Sequence, residues 1–376
     1  MPDEAATRLV VVDTDVHHNF RTRSDLIPYM SRFDGERFLD YGFGISGGVF
    51  GFNGGHNGLR VDIVDPDNPP PAEIGPTASD PDDTVRRLLD GCGIDIGLLT
   101  GGPGALASAM PDADFSNAIC RAFNDFSVEH WLERDSRFRL ALHVNMQDPA
   151  AAAAEIDRLG GHPAVCAIML GCGSLRPYGH RMYHPVYEAC VRNNLAVAMH
   201  FDAEGAGVNP PLTAAGYPSH YIEGRQLRPS YYIVHINSFV FEGVFKKFPE
   251  LRIGILEAGF AWLPSMLWKL DLDWKGLRWQ TPWVDELPSE IIKRHFRFAT
   301  QPMEEPSEPE ALQHILKWID AENTLMFATD YPHFDWDDPA RTFAGYSDGF
   351  RRRVFSENAI DTFRLKLEAP APILEE

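Results

Sequence analysis

The sequence predicts a (β/α)8 barrel of the α/β class with long insertions after the first and fifth strands. Three observations favour this fold. Eight short runs rich in β-branched residues alternate with longer amphipathic stretches. The runs are continuously apolar, as expected for parallel strands that are buried on both faces. No GxGxxG motif follows the first run, which counts against a dinucleotide-binding open sheet.

The candidate strands and helices follow one another in the order expected of βα units. Strands are predicted at 9–15, 94–100, 138–145, 164–170, 195–201, 251–257, 295–300 and 324–330. Helices are predicted over 82–90, 115–134, 149–159, 184–193, 231–248, 262–274 and 309–320. This order predicts a single barrel domain over 1–376, with its core from about residue 8 to residue 365.

Two segments interrupt the alternation. Residues 20–80 follow the first strand and contain a glycine-rich stretch, 42–58, and three consecutive prolines, 69–71. Residues 203–230 follow the fifth strand and are also rich in glycine and proline. Both leave from the carboxyl ends of strands, where barrel enzymes build their active sites. We interpret them as parts of a lid or substrate wall. The alternative is that they are surface loops without a functional role.

Composition limits the classes of partner and compartment. The net charge of −20 argues against nucleic acid or an anionic membrane as a partner. No apolar run approaches about 18 residues, and the N-terminus lacks the apolar core of a signal peptide, so neither a membrane span nor secretion is expected. The five cysteines show no CxxC spacing and fit a reduced, cytoplasmic compartment.

Ligand-type residues stand at the ends of three predicted strands. Asp15 and His17 end the first strand and, being two residues apart, share the face that lines the barrel. His200 ends the fifth strand and Asp330 the eighth. Each alone has an ordinary explanation, such as a histidine bonded to a backbone carbonyl or a helix cap. Together they predict one metal site, for which zinc is expected, with manganese or iron as alternatives.

The motifs also resemble those of a known family. The Asp-x-His at 15–17, the histidine at 200 and Thr-Asp-Tyr-Pro-His at 329–333 resemble the amidohydrolase superfamily, and in particular the amidohydrolase-related branch that includes aminocarboxymuconate-semialdehyde decarboxylase. Further matching segments are 243–252, 256–259, 262–264 and 355–359. The resemblance implies that a divalent metal, bound by the two strand-one residues, His200 and Asp330, activates water or holds the substrate.

The chain departs from its relatives at two strands: the fourth, where binuclear members of the superfamily carry a carboxylated lysine, and the sixth. The fourth strand, 164–170, contains no lysine, so a lysine-bridged metal pair is not expected. At the end of the sixth strand Glu257 stands where the decarboxylases often carry an acid/base histidine. Three roles stay open for Glu257: an acid/base with a raised pKa, a ligand of a second metal, or a structural partner of a neighbouring strand.

Four more residues are candidates for the site. His235 lies in a mostly apolar helical segment, where a core histidine is the favoured interpretation and an acid/base or extra ligand the alternative. His333, three residues after Asp330, is a candidate substrate contact. Arg225 and Arg228 lie on the predicted active face, and either could bind a substrate carboxylate, although solvation is the default for both.

These features lead to three functional hypotheses. The first is a divalent-metal-dependent hydrolase or nonoxidative decarboxylase of a small, carboxylated molecule, acting through metal-activated water or a metal-chelated carboxylate, with Asp330, Glu257 and His235 as candidate acid/base residues. The second is a dinuclear iron or manganese monooxygenase that recruits Glu257 and His235. The third is a non-catalytic, metal-binding subunit of a hetero-oligomer. The resemblance implies a homo- or hetero-oligomer. Near Pro282, Trp274, Trp279 and Trp283 are candidate interface residues, with a place in the core as the alternative.

Overall fold

Eight parallel strands form one sheet in which each strand pairs with the next along the chain. The computed structural model describes residues 8–43, 78–101, 106–209, 213, 215–333 and 335–366. The strands are Val12–Val16 (β1), Ile96–Leu99 (β2), Phe138–His143 (β3), Val165–Gly171 (β4), Ala196–His200 (β5), Ile253–Ile255 (β6), Phe296–Ala299 (β7) and Leu325–Met326 (β8). The predicted (β/α)8 barrel is confirmed.

Helices lie between consecutive strands and after the last strand. They are Arg32–Tyr41 (α1), Pro81–Thr84 (α2), Ala113–Ser127 (α3), Pro149–Leu159 (α4), His184–Arg192 (α5), Tyr221–Arg225 (α6), Arg228–Phe241 (α7), Val244–Lys247 (α8), Leu263–Leu277 (α9), Pro288–His295 (α10), Pro309–Ile319 (α11), Ala321–Thr324 (α12), Asp348–Arg352 (α13) and Asn358–Phe363 (α14). Helical turns also cover Val85–Asp90, Val128–Leu132, Arg353–Glu357, Arg23–Tyr29, Arg181–Tyr183 and Arg278–Gln280.

Local sequence determines where several of these helices begin. Pro149 occupies the first turn of α4, where its missing N–H costs no hydrogen bond. The preceding Asp148 accepts a hydrogen bond from the backbone N–H of Ala151 at 3.1 Å and so caps the helix. Asp112 caps α3 in the same way through the N–H of Phe115.

Contacts between the first strand and the segment after the last close the barrel. The N–H of Thr14 donates to the carbonyl of Phe327 at 3.1 Å, and the N–H of His17 donates to the carbonyl of Tyr331 at 2.9 Å. Val16 pairs in parallel with Tyr331. The two ends of the sequence that carry ligand-type residues are therefore neighbours in space.

The structure differs from the sequence predictions in several elements. Helix α10 was not predicted, and it follows α9 before the seventh strand. Strand β8 covers only two of the seven predicted residues, because the next N–H, that of Phe327, donates to the carbonyl of Val354 and not to a neighbouring strand. The first insertion contains α1, whereas the proline run and most of the glycine-rich stretch lie in 44–77, outside the described residues.

Two smaller expectations can be compared with the structure. Within the described ranges, none of the helices has both the length and the apolar character needed to cross a bilayer. None of the five cysteines forms a disulfide.

Candidate metal centre

Four predicted ligand residues meet at the carboxyl ends of the barrel strands. The Nε2 atom of His17 lies 2.9 Å from Asp330 Oδ1 and 3.4 Å from Asp15 Oδ1. His200 Nε2 lies 3.3 Å from Asp15 Oδ2. One potential ligand atom from each of the four residues falls within 4.8 Å of every other. Strands β1 and β5 and the loop after β8 thus direct these side chains towards a common point.

The donor atoms fit a cation better than they fit one another. Four of them have no hydrogen-bond partner among the described residues, namely Asp15 Oδ2, His17 Nε2, His200 Nε2 and Asp330 Oδ2. The close contacts between them lack the angles of hydrogen bonds, although such buried polar atoms are normally satisfied. Two imidazoles with carboxylates form the donor set of first-row divalent metals. The residues present therefore fit a divalent metal.

Three neighbouring side chains hold the donors in position. Thr100 Oγ1, at the end of β2, donates to Asp15 Oδ1 at 2.6 Å. The Nδ1 of His200 bonds to Asp202 Oδ2 at 2.8 Å, which leaves Nε2 directed at the centre. Asp13 accepts hydrogen bonds from the N–H of Thr329 at 2.9 Å and from the N–H of Asp15 at 3.1 Å. Asp13 therefore links strand β1 to the loop after β8.

Two carboxylates of the centre sit on unusual backbone. Glu257 has a φ of 49° and Asp330 a φ of 63°, in the left-handed region that non-glycine residues rarely adopt. Each lies shortly after the end of a strand, where the chain turns. Such conformations are strained and persist only where the surrounding structure holds them in place. They are concentrated at functional sites.

Glu257 is joined to the centre and to a buried arginine. Its Oε2 lies 3.0 Å from His200 Nε2, and its Oε1 pairs with the guanidinium of Arg228. That guanidinium also packs 4.4 Å from the ring centre of Phe201. Although burial opposes the shift, the charge of Arg228 and the contact with His200 hold the pKa of Glu257 well below its usual range. Of the three roles left open for Glu257, the acid/base with a raised pKa is therefore the one that its surroundings disfavour.

His333 contacts both His17, which follows β1, and Asp330, which follows β8. Its Nδ1 bonds to Asp330 Oδ1 at 2.7 Å, and its ring lies 4.3 Å from that of His17. Burial lowers the pKa of His333, but the carboxylates of Asp330 and Glu257 outweigh it and raise the value to about 9. His333, Glu257, Asp330 and His17 form a second group of potential ligand atoms within 4.8 Å of one another.

The centre has a negative potential that favours a positive charge. Burial opposes protonation of His200, yet the carboxylates of Asp15 and Asp202 raise its pKa well above the usual value. Burial likewise works against ionisation of Asp15, and His200 and His17 nevertheless lower its pKa. A cation of either kind, imidazolium or metal, is stabilised here.

His235 lies outside both ligand groups. Its Nε2 bonds to the carbonyl of Cys172 at 2.8 Å, and its Nδ1 accepts from the N–H of Tyr178 at 3.2 Å. Both ring nitrogens are thus occupied by backbone, and the ring stacks on Tyr178. Burial lowers the pKa of His235 to about 4. The structure corrects the assignment of His235 as an acid/base or extra ligand: it has the contacts of a satisfied core histidine.

The two candidate arginines also have protein partners. Arg225, in α6 of the second insertion, forms an ion pair with Asp335 in the loop after the eighth strand. Arg228 forms the buried pair with Glu257 described above. Neither is simply solvated, and Arg225 joins the second insertion to the rim of the barrel.

Sequence reasoning missed the supporting residues Thr100 and Asp202. Asp202 follows His200 by two residues, so strand parity could have suggested that it lies beside the histidine. Thr100 ends the second strand and carries no sequence signal of its own, because its role depends on the pairing of β2 with β1.

A family model described as amidohydrolase matches residues 75–365. The chain belongs to the amidohydrolase family. The match covers well over half of the chain and includes His200, Glu257 and Asp330. The resemblance predicted from the motifs is thereby confirmed, and this amidohydrolase is an enzyme, which leaves the non-catalytic hypothesis without support.

The amidohydrolase is similar to several decarboxylases. It is 26% identical over 316 residues to gamma-resorcylate decarboxylase of Rhodococcus jostii, covering 75% of this chain and 87% of that protein. A dihydroxybenzoic acid decarboxylase from Polaromonas sp., solved with manganese and the inhibitor 2-nitroresorcinol, superposes with a TM-score of 0.64 at 17% identity, covering 95% and 97% of the two chains. A 5-carboxyvanillate decarboxylase from Novosphingobium aromaticivorans, solved with manganese, gives 0.65 at 20% identity, covering 95% and 96%.

These structural likenesses establish the fold. The four strand-end donors of the amidohydrolase lie at the same end of its barrel, where active sites of this fold are built. The donor set itself, two imidazoles with two carboxylates, is of the kind that binds a divalent metal.

Proposed function

We propose that this amidohydrolase is a metal-dependent, nonoxidative decarboxylase of a small aromatic carboxylate that bears a hydroxyl group beside the carboxylate. The observation that carries the proposal is the cluster of buried donor atoms without hydrogen-bond partners in the described structure, formed by Asp15, His17, His200 and Asp330. The similarity to gamma-resorcylate decarboxylase over three quarters of the chain favours this substrate class. We take manganese as the metal, in place of the zinc expected from sequence, because the related structures contain it.

The proposed reaction requires a ring carbon that accepts a proton and a residue that supplies this proton. A bound divalent cation would supply a Lewis acid that holds the carboxylate and the neighbouring oxygen of the substrate. A proton is added to the ring carbon that bears the carboxylate. The bond between that carbon and the carboxylate then breaks, its electron pair restores the aromatic ring, and CO2 leaves. One proton enters the product for each CO2 released, and no oxidant or reductant is consumed.

Asp330 and His333 are the residues that we propose to handle this proton. Asp330 lies at the centre, and its Oδ1 is hydrogen-bonded to His333 Nδ1 at 2.7 Å. His333 is less deeply buried than Asp330, with 19% of its side chain exposed against none for Asp330. A proton can therefore pass from the solvent side through His333 to the buried carboxylate.

The test is turnover of aromatic carboxylates by purified full-length protein loaded with manganese. We expect CO2 release from 2,6-dihydroxybenzoate or 5-carboxyvanillate and a loss of at least about a hundredfold in kcat for Asp330→Asn. Metal analysis of His200→Ala and Asp330→Ala should show reduced metal content. Turnover of amides or esters, with aromatic carboxylates left intact, would instead establish the hydrolase that the motifs equally allow.

The dinuclear monooxygenase remains a second candidate because of one observation. The group formed by His17, Glu257, Asp330 and His333 shares two residues with the first donor set, as a bridged metal pair would require. The contacts of His235 remove one of the ligands on which that hypothesis relied. Two metals per active chain and turnover that depends on O2 would favour it over decarboxylation.

A further inference from the structure

Glu257 is the carboxylate that the motif pattern of the family does not explain. It follows β6, and its Oε2 lies 3.0 Å from His200 Nε2, an atom that points at the centre. The ligand atoms of Glu257, Asp330 and His17 lie within 4.8 Å of one another. Glu257 therefore borders the four-donor set: it lies near His17 and Asp330 and contacts His200.

Arg228 fixes which oxygen of Glu257 is available. The guanidinium pairs with Oε1 and is itself held over the ring of Phe201, and the side chains of Glu257 and Arg228 are only 4% and 6% exposed. This arrangement turns Oε2 towards His200 and occupies Oε1. The left-handed backbone of Glu257, with a φ of 49°, directs the side chain inward in the same way as that of Asp330.

The charges of the enlarged donor set also balance. Asp15, Glu257 and Asp330 bring three negative charges into a buried site, which is costly unless they are compensated. A divalent cation supplies two positive charges and Arg228 the third. Because Arg228 contacts Glu257 directly, its charge compensates the one that this third carboxylate adds.

We propose that Glu257 is a fifth ligand of the divalent metal, held in place by Arg228, and that the resulting set of three carboxylates and two imidazoles favours manganese over zinc. Manganese prefers oxygen ligands and higher coordination numbers, whereas zinc in proteins is usually four-coordinate. In this arrangement Arg228 is a positioning residue rather than a clamp for the substrate. The proposal rests on the metal centre of the proposed function, but it makes no use of the reaction.

The experiment is a metal titration of metal-free, full-length protein without substrate. Manganese binding is followed by the electron paramagnetic resonance signal of the free ion, and zinc binding by competition. Glu257→Gln removes the charge, and Glu257→Asp keeps it but withdraws the carboxylate. Glu204→Gln is the matched control, because Glu204 is a buried carboxyl beside Asp202 that belongs to neither ligand group. Circular dichroism establishes that each variant is folded.

We expect one manganese per chain in the wild-type protein and in all variants. The Kd for manganese should rise at least about tenfold in both Glu257 variants, and the Kd for zinc less, so that the preference for manganese falls. The control should bind as the wild type does. An unchanged Kd in a folded Glu257 variant would overturn the proposal, as would two manganese ions per wild-type chain with one lost in the variants. Normal binding without decarboxylation would contradict the proposed function alone.

Discussion

At the scale of single residues, the carboxylates of this amidohydrolase differ in role because their partners differ. Asp15 and Asp330 have oxygen atoms without hydrogen-bond partners in the described structure, whereas both oxygens of Asp13 accept hydrogen bonds from Thr329, and one of them also accepts from the N–H of Asp15. Burial raises the pKa of Asp13 to about 7. Asp13 thus holds Asp15 and the residue before Asp330 in place, and it belongs to neither group of potential ligands.

We predict that Asp13→Ala weakens metal binding by about tenfold to a hundredfold, the range typical of residues that orient ligands. The reason is that Asp15 and Thr329, next to Asp330, lose their common partner. Manganese titration gives the Kd. Asp90→Ala serves as the control, because the Asp90 side chain forms an exposed ion pair with Arg137 and belongs to neither ligand group among the described residues. Equal Kd values for the two variants would show that Asp13 does not position the ligands.

A second prediction concerns the stability of the fold below neutral pH. The folded protein holds the pKa of His235 at about 4, below the ordinary value of 6.5, because the ring is buried. The unfolded chain therefore binds a proton at pH values where the folded chain does not, and stability falls as pH drops from about 6.5 to about 4. Between pH 8 and pH 5 this residue should account for a loss of about 2 kcal/mol.

Urea unfolding at both pH values measures that loss. His235→Gln should lose about 2 kcal/mol less than the wild type over the same interval, whatever its stability at pH 8. The exposed His314 provides the control, and His314→Gln should keep the wild-type pH dependence. An identical pH dependence in His235→Gln and the wild type would rule out this contribution.

At the scale of elements, the second insertion is anchored to the barrel rim by close backbone contacts. The N–H of Val208 donates to the carbonyl of Ala109 at 2.9 Å. At Gly207, where φ is 53°, an added Cβ would lie 1.9 Å from that carbonyl oxygen. Together with the pair between Arg225 and Asp335, these contacts hold the insertion beside the metal centre.

We therefore predict opposite effects of two glycine-to-alanine changes. Gly207→Ala should destabilise the protein by more than about 1 kcal/mol, since both the backbone conformation and the space exclude a Cβ. Gly276→Ala, in α9 where the added Cβ meets nothing within 4 Å, should stabilise it by about 0.5–1 kcal/mol. Thermal unfolding compares the two. A Gly207→Ala protein as stable as the wild type would show that the insertion can shift at little cost.

Sequence patterns predicted the strands better than the contacts between them. Apolar runs marked all eight strands, and the rule that barrel sites lie at carboxyl ends selected Asp15, His17, His200 and Asp330, which the structure brings together. Helix α10 was missed, and so was the shortness of β8. The pairing of Arg228 with Glu257, the bond from Thr100 to Asp15 and the core contacts of His235 depend on residues far apart in sequence, which periodicity cannot reveal.

At the scale of the whole molecule, the metal centre connects the first strand, the fifth strand and the loop after the last. Binding to the folded state alone stabilises a protein by about 2.7 kcal/mol when the free ligand is a hundredfold above its Kd. We predict that manganese slows hydrogen exchange in β1 and in the loop after β8 to a similar extent, because one ion bridges both. Hydrogen-exchange mass spectrometry with and without the metal measures this effect.

The Asp330→Ala variant provides the comparison. It should bind little manganese and show no change in exchange in either segment when the metal is added. Slower exchange in β1 alone in the wild type would mean that the ion does not connect β1 to the loop after β8.

The closure of the barrel by its two ends has a consequence for biosynthesis. Asp15 and His17 are translated early, but Asp330 is added only after most of the chain has been made. A ribosome-bound chain whose eighth strand has not yet been synthesised contains only part of the donor set. Its Asp15 and His17 side chains are then not yet joined by Asp330. A metal bound by all four donors can therefore be acquired only after the last strand has emerged from the ribosome.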